Sequence, residues 1–165
     1  AEGMPRDANE RCMHTVDLVY KANEMGIANE DIWIDPIASP VSVEINQVKA
    51  CPEFMSMLGD IAPGCKSTVG LSNISNGTPA HLRPYLNRTY MIMLMKHGLY
   101  SAIVNVFDKD LVAIAKGKRP DLVSLVQGMM DGNVPNPANL NPEQFNYYFK
   151  MAVSNGMSGS GRVSA

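Results

Sequence analysis

Three polar side chains occupy equivalent places in the sequence. Asp35 lies near the end of DIWIDP (31–36), Asn73 lies in VGLSNIS (69–75), and Asn105 lies in SAIVNVF (101–107). A carboxylate accepts hydrogen bonds, and a carboxamide both donates and accepts without titrating. Groups of this kind at the ends of neighbouring strands can hold a ligand through its polar edges. Asn is a poor strand residue. Asn73 therefore either caps the turn-rich Asn76-Gly77-Thr78-Pro79 that follows or binds something. Each of the three, taken singly, serves equally well as a turn or cap residue. Their repetition over three consecutive runs favours a site.

The elements that must position these residues follow from pattern. Asp7 with Glu10 has the form of a capping box. Apolar residues then recur at helical spacing to Gly26, which predicts a helix over about 8–25. DIWIDP reads as a strand ended by Pro36. Pro52 suits the first turn of a helix running to about Leu58. Residues 67–75 read as a second strand, RPYLNRTYMIMLMKHG as a helix closed by Gly98, and 101–107 as a third strand. Helices follow over 109–116, 120–130 and 142–154. The methionines at 91, 93 and 95 mark a helix buried on most sides rather than a soft-metal surface.

Alternation of helix and strand implies right-handed βαβ units and a parallel α/β sheet. Parity places Ile32 and Ile34 on one face of the first strand, with Trp33 and Asp35 on the other. In the third strand, Val104 and Val106 oppose Ile103 and Asn105. The middle strand is ambiguous, because Val69 and Leu71 fall on the side of Asn73. Polar groups at the carboxyl ends of such strands converge where α/β proteins bind ligands.

Composition narrows the class. The chain has 165 residues, 45% hydrophobic and 18% charged, with a formal net charge of −2, as expected of one soluble globular domain. Lys and Arg form no long run, so nucleic acid is not an expected partner. No apolar run approaches a membrane span. AEGMPRD lacks the basic and apolar regions of a signal peptide, and the expected location is the cytoplasm. Cys12, Cys51 and Cys65 are odd in number without C-x-x-C spacing, which reads as reduced thiols rather than disulfides or zinc ligands. His14, His81 and His97 are scattered, and no bound metal is expected.

The segments EGMPRDANER, DIWIDP, TVGLSNIS, RPYLNRTY and GLYSAIVNVFD occur in the order and spacing of the methyltetrahydrofolate:corrinoid/iron-sulfur protein methyltransferases, which this chain resembles. The resemblance covers residues 1–131 and, less closely, 142–152. It extends more loosely to the methylfolate domain of cobalamin-dependent methionine synthase. It implies the C-terminal half of a pterin-binding (β/α)8 TIM barrel over residues 1–155. The remaining 156–165, which departs from the family's ending, reads from its Gly/Ser-rich composition as a flexible tail. It also implies transfer of the N5-methyl group of methyltetrahydrofolate to the Co(I) of a corrinoid carried by a partner protein. Asn73 matches the family residue beside N5. Asp35 matches the aspartate that hydrogen-bonds the pterin ring. Asn76, Arg83 and Asn105 stand at further substrate-binding positions.

A full barrel needs eight strands and about 250 residues. Three strands imply a fragment, a truncated product or one chain of a split enzyme. Its partner would be a complementing N-terminal barrel half or a second copy in a homodimer. The competing readings are the methionine synthase domain and a truncated pterin-binding module without turnover.

Overall fold

The computed structural model of the chain describes residues 3–154. The proposed tail, 156–165, lies outside them. Helix α1 (Ala8–Glu24) begins at the expected N-cap, Asp7, with the reciprocal bond displaced by one residue to Arg6. Asp7 Oδ1 accepts the Glu10 N–H at 2.9 Å, while the Glu10 carboxylate accepts the backbone N–H of Arg6 at 2.7 Å. Strand β1 (Trp33–Ile34), helix α2 (Ile45–Ile61), strand β2 (Lys66–Gly70), helix α3 (Arg83–Lys96) and strand β3 (Ser101–Ile103) follow. Helices α4 (Lys109–Ala115), α5 (Pro120–Met130) and α6 (Pro142–Ser154) complete the described chain.

The three strands form one parallel sheet in sequence order, with Trp33 opposite Lys66 and Thr68 opposite Ser101. The fold is α/β, and this small parallel sheet with its helices is compatible with part of a barrel. Ile34 and Val69 point to the helices and join a core built from Val48, Phe54, Met55 and Leu58 of α2 and Met91–Leu94 of α3. Six consecutive buried residues in α3, Thr89 to Leu94, bear out a helix packed on most of its surface.

The opposite face of the sheet is open. Trp33 is 49% exposed and Ile103 73%. At the amino end of this face the Lys66 ammonium sits 5.6 Å from the centroids of both Trp33 and Tyr100, whose rings meet edge-on at 5.2 Å.

Four expectations need correction. The helix after β1 starts at Ile45, and Pro52 lies inside it. Proline has no N–H for the carbonyl four residues back. That carbonyl, on Val48, instead accepts the buried Tyr90 hydroxyl at 3.0 Å. A tertiary hydrogen bond thus replaces the helical one. The first strand is only Trp33–Ile34, because Asn29–Asp31 forms a 3-10 turn and Asp35 turns the chain beyond it. The second strand ends at Gly70, and Leu71–Ser75 is a 3-10 turn. There the Ser75 hydroxyl donates to the Ser72 carbonyl and the Asn76 N–H donates to the Asn73 carbonyl. Local bonds of this kind compete with a strand ladder. The third strand ends at Ile103, because Asn105 starts a turn closed by the Asp108 N–H.

Candidate functional site

The carboxyl end of the sheet is a rim made of three loops. The loop after β1 carries Asp35, the 3-10 turn after β2 carries Asn73 and Asn76, and the turn after β3 carries Asn105. Asp35, Asn73, Asn76, Arg83 and Asn105 are all exposed.

Asn73 does not sit on a strand, so strand parity does not set its direction. Gly70 does. Val69 points into the core, so a side chain at Gly70 would project from the open face. The Asn73 Nδ2 lies 3.4 Å from where that β-carbon would stand. The carboxamide therefore covers the carboxyl end of β2 on the open face. Among the described residues, no hydrogen-bond partner occupies it.

Asp35 reaches the same rim from β1. Its Oδ1 accepts the Ile37 N–H at 2.8 Å. Asp35 is thus a turn residue as well as a rim residue, and only one of its two oxygens is committed to the backbone. Asn105 does the same after β3, where its Oδ1 accepts the Phe107 N–H at 3.1 Å.

The first two loops are laced together. The Val41 N–H donates to the Ile74 carbonyl at 2.9 Å, and the Ser42 hydroxyl donates to the Asn76 carbonyl at 2.9 Å. Gly77 permits this approach. It has φ +73, and a β-carbon there would come within 3.0 Å of the Ser42 hydroxyl. The lacing fixes the loop of Asp35 relative to the turn of Asn73. Arg83 braces that turn from α3, its Nε donating to the buried Ser75 hydroxyl at 3.3 Å.

A cavity of about 160 Å³ opens beside Asp35, between α1 and β1. Arg11, His14, Trp33 and Ile37 share its lining with Asp35. Arg11 was not visible as a site residue in the sequence. Its position, in step with the inward-facing Ala8, Thr15 and Val19 of α1, is the signal that marks it as buried. Gly70 carried a second missed signal, since a glycine at a strand end often marks a close approach. Among the described residues there is no cluster of three or more His, Cys, Asp or Glu able to hold a metal ion.

No protein-family model matches the chain. The methylcorrinoid:tetrahydrofolate methyltransferase of Eubacterium limosum is 28% identical over 110 residues, which cover 67% of this chain and 40% of that relative. The chain thus spans well under half of the curated relative it matches. The similarity supports a relationship to methyltransferases that act on folate and corrinoid. No helix among the described residues is long and apolar enough to cross a membrane.

Proposed function

We propose that the rim is the folate-facing part of a site that moves the N5-methyl group of methyltetrahydrofolate to the cobalt of a corrinoid/iron-sulfur protein. The similarity to a folate and corrinoid methyltransferase supports this reading. The observation that carries it is the Asn73 carboxamide, held over the open face at the carboxyl end of β2 with no protein partner among the described residues.

The chemistry needs little from side chains. When the carbon–N5 bond breaks, its electron pair stays on nitrogen, which is a poor anion unless it gains a proton. The corrinoid carried by the partner supplies the electron pair for the new bond to the methyl carbon. A neutral carboxamide can donate to N5 while its lone pair develops and accept from N5–H afterwards. Such a group favours the transition state where charge changes. Asn73 does not titrate, so the proton comes from water or a more distant acid. The relative's name writes the transfer from methylcorrinoid to tetrahydrofolate. Asn73 serves that direction as well, because the same nitrogen then loses a proton as it gains the methyl group.

Asp35 is assigned to the pterin ring. Its free oxygen accepts from the amino and N–H edge of the heterocycle while the other stays on Ile37. Asn76, Arg83 and Asn105 are assigned to the rim around the ring. The exposed Trp33 and Ile103 of the open face suit burial against a complementing N-terminal barrel half.

Calorimetric titration of the chain with 5-methyltetrahydrofolate tests the reading. Saturable binding of one equivalent, weakened roughly tenfold or more by Asp35→Asn, is expected. Absence of binding, or equal affinity in the variant, contradicts it.

A further inference from the structure

Arg11 is a buried cation without an anion. It is 4% exposed, and no carboxylate pairs with it among the described residues. Its guanidinium instead donates to neutral acceptors from all three of its nitrogens. Nε donates to the Pro36 carbonyl at 3.0 Å, Nη1 to the Asp7 carbonyl at 3.2 Å, and Nη2 to Gln47 Oε1 at 2.6 Å. The buried Gln47 in turn donates to the Pro5 and Arg6 carbonyls at 2.9 and 3.0 Å. Burying a charge is costly unless it is hydrogen-bonded, and the planar guanidinium presents its donors in a fixed fork that a flexible ammonium lacks.

The acceptor that matters is Pro36, because the adjoining turn is strained. Ile37 has φ +60, the only positive φ on a non-glycine residue among those described. A β-branched side chain in this region costs about 1–3 kcal/mol and persists only where the surroundings over-determine it. Two bonds do so here: Arg11 to the Pro36 carbonyl and the Ile37 N–H to Asp35.

We propose that Arg11 is the positioning residue of the Asp35 carboxylate. Through the Pro36 carbonyl it locks the 35–37 turn, so that one Asp35 oxygen stays on the backbone and the other faces the ligand. The ligand part of this inference rests on the folate reading. The turn part does not.

The test reads both parts in the full chain. Arg11→Lys keeps a cation but loses the fork. Hydrogen exchange of the Ile37 amide should accelerate roughly tenfold, while the Val41 amide, bonded to Ile74 in the next loop, stays near its wild-type rate. Affinity for 5-methyltetrahydrofolate should fall roughly tenfold, and this loss should vanish in an Asp35→Asn background. If Arg11→Lys does not fold, Gln47→Leu, which frees one arm of the fork, takes its place with the same expected order. An unchanged Ile37 amide, or equal acceleration at Ile37 and Val41, overturns the inference. So does a loss of affinity that persists undiminished without the Asp35 carboxylate. A wild-type chain that binds no folate sinks the functional reading instead, and the two amides still decide the role of Arg11.

Discussion

The side-chain amide of Asn73 lies over Gly70, with Nδ2 3.4 Å from the point where a β-carbon on that glycine would stand. One methyl group fits at that distance, and a larger side chain does not. Gly70→Val should therefore leave the sheet intact, since Val suits a strand, while pushing the carboxamide off the rim. Methyl transfer should drop to the level of Asn73→Ala, and the double variant should be no slower than either single one. Additive losses in a single-turnover assay would show that Gly70 acts on something other than Asn73.

The Val48 carbonyl and the Tyr90 hydroxyl form a pair that exists because Pro52 removes the helical donor. Tyr90→Phe leaves a buried carbonyl without a partner and should cost about 1–3 kcal/mol in urea denaturation. Restoring the N–H with Pro52→Ala should recover most of that loss in the double variant. No recovery would mean that the hydroxyl stabilises the core by another route.

His97, at the end of α3, has its pKa lowered by burial first and by the neighbouring Lys96 ammonium second, with Asp131 acting in the opposite sense. The folded protein thus holds His97 neutral where the unfolded chain, near 6.5, begins to charge it. Its contribution is full above pH 6.5 and is lost as pH falls through the folded value. Glu10, drawn down to about 2 chiefly by its hydrogen bond from Arg6, acts only at lower pH. Urea midpoints should fall between pH 7 and 5.5 in the wild type, and less so in His97→Gln. Equal slopes would remove His97 from the acid response.

Much of this architecture is written in local signals. Asp7, Glu10 and Gly26 bracket α1, and the buried run through Met91–Leu94 identifies α3. What sequence hides is competition between local and distant bonding. Pro52 looks like a helix start because nothing nearby shows that Tyr90, far along the chain, will take the orphaned carbonyl. The strands look longer than they are because Asp35 and Asn105 spend their Oδ1 atoms on backbone N–H groups two residues ahead. The rim was readable from the repetition of polar residues at strand ends. Its bracing was not, because Arg11, Gln47 and Ser42 act through backbone carbonyls, which carry no residue-specific mark.

The central claim is that an uncharged amide at the rim eases the exchange of a methyl group at a pterin nitrogen. Single-turnover methyl transfer between 5-methyltetrahydrofolate and a reduced corrinoid protein, wild type against Asn73→Ala, tests it most directly. The account predicts a rate lower by roughly ten- to a hundredfold, with unfolding midpoint and folate affinity nearly unchanged. A variant that transfers methyl at the wild-type rate contradicts it.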